Sequence, residues 1–151
     1  MDITDITLVP VPRDRRSAFE EFSRRMAQVY LEHGATSVVD HWQVEDAVGQ
    51  ADFHAAEYAA DALGDVAGLV STGPSEAVVV TLTRWPSRDV RDRGVAAALA
   101  DPRVVATLDE EPVFDGARVR GGTFEVSLEA RRGADRPDTV VPEGDGRSPR
   151  R

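Results

Sequence analysis

The chain of 151 residues contains no cysteine and no lysine, since all 18 of its basic residues are arginine. Without cysteine it has no disulfide, no thiolate nucleophile and no cysteine-ligated zinc or iron–sulfur site. Without lysine it has no side-chain amine for a Schiff base. It also lacks the glycine loops that cradle nucleotide phosphates. We therefore expect neither a cofactor nor a metal ion, and proton transfer must depend on histidine or carboxylates.

Positive charge is scarce in most of the chain. The whole sequence has 27 acidic and 18 basic residues, and segment 1–130 alone has 23 acidic and 12 basic ones. Such a surface repels phosphate backbones, so we expect no nucleic-acid partner. No apolar run approaches the roughly 20 residues that span a bilayer. The first five residues, MDITD, lack the basic start of a secretory signal. We expect a cytoplasmic protein without a membrane partner.

The hydrophobic pattern alternates between strands and helices. Strands are predicted at 6–11, 35–44, 77–85 and 119–128, and helices from about 13 to 33, 88 to 100 and 102 to 108. The first helix has one apolar stripe, which consists of Phe19, Phe22, Met26, Val29 and Tyr30. On the second long helix the pattern predicts core positions at Val90, Ala97 and Leu99, and it assigns Arg91 and Asp92 to a solvated face.

This order of elements predicts an α+β fold of the ferredoxin-like βαββαβ type. Its four-stranded antiparallel sheet has both helices on one face. We expect one domain over 1–130, with an insert at about 50–75 in which a short helix ends near Gly64 and a loop follows. The segment 131–151 is rich in arginine, glycine, proline and aspartate, a composition typical of a disordered tail. The bare face of the sheet must be polar, enclose a cavity or be covered by a partner, and we expect a homodimer.

Five short segments resemble one known family. They are GA at 34–35, VDHW at 39–42, RWPSRDVRD at 84–92, DPRV at 101–104 and FDGAR at 114–118. Together they resemble the YbaA-type bacterial family of unknown function, over about residues 5–128. The sequence departs from that family at His41, where a cysteine or a similar residue is usual, and at Leu82, where an aromatic residue is usual.

The resemblance implies a dimeric α/β barrel, in which two sheets pack together and each borders a cavity. Relatives in this superfamily include cofactor-free monooxygenases of aromatic polyketides, isomerases of small lactones and haem enzymes. By the same resemblance His41 and His54 lie near the cavity. Beside Asp52 and Glu57 they could form a metal site or an acid–base pair. No ligand spacing such as HxH or HExxH supports such a site, and two partly exposed histidines on a strand and a loop remain the simpler interpretation.

Further candidate site residues are aromatic or charged. The candidates for substrate binding are Asp40, Trp42, Asp52, Trp85 and Phe124. Each tryptophan either belongs to the core or interface or forms a wall of an apolar pocket. Arg118 needs a carboxylate partner, for which Asp40 and Asp115 are candidates, and forms either a structural salt bridge or an oxyanion contact.

The leading interpretation is a small-molecule-binding dimeric α/β barrel that acts as a cofactor-independent oxygenase or isomerase on an apolar or aromatic substrate. A cofactor-free oxygenase depends on a substrate that itself activates oxygen once it is deprotonated. Such a site needs only a base and an apolar pocket. In this interpretation the catalytic residues are His41 or His54 as the base and Arg118 as the oxyanion partner. The alternative is a non-catalytic dimeric binding or structural protein.

Overall fold

A four-stranded antiparallel sheet forms the centre of the computed structural model, which describes residues 1–45 and 65–133. The strands are β1 (Ile3–Pro12), β2 (Ser37–Trp42), β3 (Glu76–Trp85) and β4 (Arg120–Glu125). The helices are α1 (Arg16–Glu32), α2 (Val66–Leu69), α3 (Arg88–Ala100) and α4 (Pro102–Ala106). The strand order β2-β3-β1-β4 is that of the ferredoxin-like fold and confirms the predicted α+β architecture.

Both long helices lie on the same face of the sheet, which we call the inner face. Two separate core clusters hold them there. In the first, Phe19 of α1 packs against Val9, Val11 and Val79. In the second, Tyr30 of α1 and Val90 and Val95 of α3 pack against a cluster formed by Ile3, Ala35 and Trp85.

The opposite, outer face of the sheet is covered at one end, where Pro10 and Val78 are fully buried and α2 contacts β3, and is more open toward Val39 and Phe124. Strand pairing places Val39 opposite Leu82, and Leu82 opposite Ile6, so that an apolar row crosses this face. Val39 is 44% exposed, and Phe124 at the other edge is 53% exposed. In β2, Val38, Asp40 and Trp42 therefore face the helices, whereas Val39 and His41 face away from them.

The ends of the helices carry residues that are typical of helix caps. Gly34 follows α1 with φ of 111°, a conformation that side chains other than glycine rarely adopt. The Ser87 hydroxyl accepts a hydrogen bond from the Val90 N–H at 3.2 Å at the start of α3. The Asp101 carboxylate accepts one from the Arg103 N–H at 2.9 Å at the start of α4.

The buried side of α3 differs from the predicted one. Ala97 is exposed and Leu99 is 63% exposed, whereas Gly94 and Ala98 are buried. Trp85 is the physical cause, because a Cβ atom on Gly94 would lie 2.4 Å from its indole ring. The helix approaches the ring through its smallest residue, and a hydrophobic pattern does not reveal a glycine contact.

The predicted insert is described only in part. A short helix, α2, begins after Asp65, whose carboxylate accepts a hydrogen bond from the Gly68 N–H at 3.1 Å. The sequence analysis predicted a loop at this point. The first part of the insert and the predicted tail from 134 onward lie outside the described residues. No helix in the described ranges has the length and apolar character needed to cross a membrane.

An ion pair anchors the segment before β4 to the start of β3. The Arg118 guanidinium donates two hydrogen bonds to the Glu76 carboxylate, at 2.8 and 2.6 Å, and one to Asp115 at 3.3 Å. Glu76 also accepts a hydrogen bond from the Gly73 N–H at 2.9 Å. Chiefly because of Arg118, the pKa of Glu76 falls to about 2. Arg118 therefore forms a structural salt bridge, with Asp115 but not Asp40 among its partners.

We expect Gly94→Ala to destabilise the fold, although alanine is the better helix former. Its Cβ would meet the Trp85 ring at 2.4 Å and the His33 carbonyl oxygen at 2.6 Å. Overpacking of this kind costs about 1–3 kcal/mol, so thermal unfolding should show a Tm several degrees lower. Gly116→Ala is the matched control, because no atom lies within 4 Å of its added Cβ. An unchanged Tm for Gly94→Ala would contradict this packing.

We expect Glu76→Gln to lower Tm in a pH-dependent way. The pKa of Glu76 is lowered from 4.5 to about 2 in the folded chain. Its ion pair therefore stabilises the fold fully above about pH 4.5 and is lost as the pH falls toward 2. The Tm difference between the parent and the variant should be largest at neutral pH and shrink over that window. Glu111→Gln, in which an exposed carboxylate is removed, should change Tm little throughout.

Candidate functional site

A cleft lies between the inner face of the sheet and helix α1. It consists of two adjoining cavities of about 250 and 390 Å³. Four residues line both cavities, namely Thr7, Tyr30, Thr81 and Thr83. Three of the four are threonines of the central strands, so the floor of the cleft is polar and its side chains are small.

The smaller cavity is walled by aromatic and aliphatic side chains. Phe19, Phe22 and Met26 of the predicted α1 stripe form one wall, and Phe114 and Val119 form another. The Phe114 ring centroid lies 5.8 Å from those of both Phe19 and Phe22, with the rings edge to face. The α1 stripe thus exists as predicted, but Phe22 and Met26 are only half-buried because they border empty space.

The larger cavity ends at the carboxylate of Asp5. This carboxylate accepts hydrogen bonds from the Trp85 indole N–H at 3.1 Å, from the Thr123 hydroxyl at 2.7 Å and from the Arg91 Nε at 3.1 Å. These donors come from β3, β4 and α3, while Asp5 itself lies on β1. One carboxylate therefore fixes the positions of three side chains from three different elements.

Arg91 supplies the positive charge in this cavity. Its Nε donates to Asp5 and its Nη1 to Asp92 at 3.0 Å, and no described residue accepts from its Nη2. The hydrogen bond to Asp5, followed by that to Asp92, raises the pKa of Arg91. Its side chain is only 27% exposed. The assignment of Arg91 to a solvated helix face is therefore wrong. Arg91 precedes the buried Gly94 by three residues, and residues three apart lie on the same side of a helix.

Tyr30 stands where the two cavities meet. Its ring packs edge to face on Trp85, with centroids 6.1 Å apart. Burial, followed by the nearby Asp5 carboxylate, raises the pKa of the Tyr30 phenol, so the hydroxyl stays protonated and can donate a hydrogen bond. No described residue is hydrogen-bonded to it. The sequence analysis identified Tyr30 only as part of the apolar stripe, because such a pattern does not show which of its residues border a cavity.

Three of the predicted binding residues lie on the inner face. Trp85 is fully buried and backs the polar end of the cleft through its bond to Asp5. Trp42 packs on Phe19, 6.1 Å between ring centroids, and so supports a wall of the cleft from behind. Asp40 accepts a hydrogen bond from the Thr81 hydroxyl at 2.6 Å.

The other predicted site residues do not meet at this cleft. His41 lies on the outer face, where its Nδ1 is 3.2 Å from the Val80 carbonyl oxygen, and Phe124 lies on the same face. Arg118 is occupied by Glu76 and Asp115. Among the residues that the structure describes, no group of three or more His, Asp or Glu side chains is placed to hold a metal ion. His54 and Asp52 lie outside the described residues.

Comparison with solved structures shows the same type of fold elsewhere. SnoaB, described as a cofactor-independent oxygenase from Streptomyces nogalater, aligns with a TM-score of 0.51 at 13% identity, over 85% of this chain and 95% of SnoaB. Rv0793 from Mycobacterium tuberculosis aligns with a TM-score of 0.48 at 15% identity, over 87% of this chain and all of Rv0793. At such identities the likeness to SnoaB shows a shared fold.

Comparison of sequences identifies the family. Residues 3–116 match the family described as "Protein of unknown function (DUF1428)". Over 126 residues the chain is 30% identical to "Uncharacterized protein YbaA" of Escherichia coli (strain K12). This alignment covers 83% of the chain and 96% of YbaA. The predicted resemblance is thereby confirmed, and the chain belongs to the DUF1428 family, with YbaA as a relative.

Proposed function

We propose that the cleft binds a small, flat, largely apolar molecule that carries one acidic oxygen. We further propose that the protein acts on it as a cofactor-independent oxygenase or isomerase. The observation that carries this proposal is the Arg91 guanidinium at the end of an aromatic-walled cleft. Apolar walls with a few placed polar groups are typical of small-molecule sites.

Arg91 and Tyr30 together suit a negatively charged oxygen. Both line the larger cavity, the first with a permanent positive charge and the second with a protonated hydroxyl. Donors that are fixed before a charge develops stabilise an enolate or phenolate strongly, because they need not reorganise. Asp5 provides that fixation for Arg91 through its hydrogen bond to Nε.

The reaction class follows from this chemistry. Removal of a proton from a flat aromatic molecule gives an electron-rich anion that can react directly with dioxygen or take the proton back at another carbon. The first outcome is an oxygenation and the second an isomerisation. SnoaB, described as a cofactor-independent oxygenase, shares the fold, which makes oxygenation the first activity to test.

A non-catalytic binding protein is the second candidate, and one observation favours it. The Asp5 carboxylate accepts from Trp85, Arg91 and Thr123, so its lone pairs are largely occupied. A carboxylate in this state orients other groups better than it accepts a proton. If no other base serves the cleft, binding without turnover is the expected behaviour.

We also propose that two copies pair through the outer faces of their sheets. The row formed by Val39, Leu82 and Ile6 is apolar and partly exposed, and Phe124 adds an exposed aromatic ring beside it. An exposed apolar patch on a sheet is typical of an interface. Pairing of sheets through this face is also the assembly that the family resemblance implies.

We expect Arg91→Gln to weaken the binding of an anionic ligand selectively. Suitable probes are lawsone, a flat hydroxynaphthoquinone that is an anion at neutral pH, and its neutral parent naphthoquinone. Loss of a hydrogen bond to a charged group costs roughly 1.5–3 kcal/mol, so affinity for lawsone should fall about ten- to a hundredfold. Affinity for naphthoquinone should change little. Titration calorimetry measures both.

Two further variants sharpen this test. Arg88→Gln removes an exposed arginine from the same helix and should leave both affinities unchanged. Arg91→Lys keeps the charge and should retain part of the preference for lawsone. Equal affinity of the parent protein for the two probes would refute an anion site at Arg91.

We expect Val39→Glu to separate the dimer, because it places a charge in the apolar row of the proposed interface. Light scattering should give twice the 16.4 kDa chain mass for the parent and a single chain mass for the variant. Leu99→Glu, which adds the same charge at an exposed position on α3, is the control and should remain dimeric. A monomeric parent at micromolar concentration would exclude this assembly.

A further inference from the structure

We propose that Thr81 and Asp40 form a proton relay, which carries a proton from a molecule bound in the cleft to the protein surface beside β2. This inference rests on the proposed function and names the base that it requires. Thr81 is then a catalytic residue, and Asp40 is the proton acceptor behind it.

Strand pairing fixes the relay in place. Asp40 of β2 lies directly opposite Thr81 of β3, with both side chains on the inner face. The Thr81 Oγ1 donates a hydrogen bond to the Asp40 Oδ1 at 2.6 Å, a length typical of a hydroxyl bound to a carboxylate. Neither partner sits on a flexible loop, so the pair is held by the sheet itself.

Thr81 faces the bound molecule with the correct polarity. It lines both cavities of the cleft. A hydroxyl has one hydrogen and two lone pairs, and here the hydrogen is directed to Asp40. No described residue donates to Thr81, so its lone pairs remain available to a proton from the cleft. Thr7 and Thr83 also line both cavities, but neither donates to a carboxylate of the described chain.

Asp40 connects the relay to solvent. It is exposed and lines a surface recess beside α1, together with Glu20, Ser23 and Arg24. Ser23, Ala27 and Val38 line both this recess and the smaller cavity, so the two spaces adjoin. A proton that reaches Asp40 can therefore pass to water.

The proposed step is a balanced proton transfer. The X–H bond of the bound molecule breaks, and its electron pair stays on X. Its proton forms a new O–H bond with Thr81 while the original Thr81 proton moves to Asp40. Thr81 is regenerated, Asp40 becomes neutral, and the negative charge remains on the bound molecule at the end of the cleft where Arg91 and Tyr30 lie.

Nitrobenzisoxazole provides a test that needs no natural substrate. It is flat and aromatic, and removal of its ring C–H proton breaks the N–O bond and releases a coloured cyanonitrophenolate. We expect the protein to accelerate this elimination and Thr81→Val and Asp40→Asn each to lower kcat at least tenfold, with KM unchanged. Thr81→Ser retains the hydroxyl and should restore most of the rate.

Controls separate the relay from structural effects. Thr36→Val and Asp109→Asn remove the same groups from exposed positions outside the cleft and should keep the parent rate. Thermal unfolding of each variant checks the fold, and Asp40→Asn, at an exposed position, tests the relay even if Thr81→Val unfolds.

The outcomes distinguish the relay from the proposed function. A parental kcat in Thr81→Val or in Asp40→Asn would overturn the relay. Lawsone binding without accelerated elimination by the parent protein would also overturn the relay but would leave the binding site intact. Failure of the parent protein to bind lawsone would remove the proposed function, and the relay with it.

Discussion

The carboxylate of Asp5 is the point at which the elements around the cleft are joined. It lies on a central strand, and its hydrogen-bond donors come from β3, β4 and α3. A partly buried carboxylate is costly unless donors replace its water, so these elements must converge on it. The same bonds hold Arg91 and Trp85 in fixed orientations. The position of the positive charge in the cleft therefore follows from the hydrogen bonds that the Asp5 carboxylate needs in the folded chain.

The cleft itself exists because α1 contacts the sheet at two separated places. One contact is the cluster around Phe19 and Val79, and the other is the cluster around Trp85 and Ile3. Between them the sheet presents small threonine side chains, which do not reach the helix. Well-packed cores leave few voids of this size. The cleft is thus the space that α1 leaves open between its two contacts with the sheet.

Local features were predicted well from the sequence, whereas distant pairings were not. The strands and the apolar stripe of α1 depend on neighbouring residues, and their predictions were correct. The Arg118–Glu76 pair joins residues 42 positions apart, and no periodicity reveals it. The buried side of α3 was not predicted either, because the residue that contacts Trp85 is Gly94, which has no side chain to mark an apolar position. The position of Arg91 on that same side was missed for this reason. His41 and Trp42 lie on opposite faces of β2, and the sequence alone does not show which of these faces the cleft occupies.

The position of β2 at the edge of the sheet has an evolutionary consequence. Side-chain direction in a strand repeats every two residues, so a shift of one position exchanges the two faces. An insertion or deletion of one residue at the start of β2, before Asp40, would turn Asp40 and Trp42 outward and His41 inward, although the backbone ladder with β3 could re-form. Both surfaces would change character in a single event. Among relatives, β2 should therefore vary by substitution and keep its length.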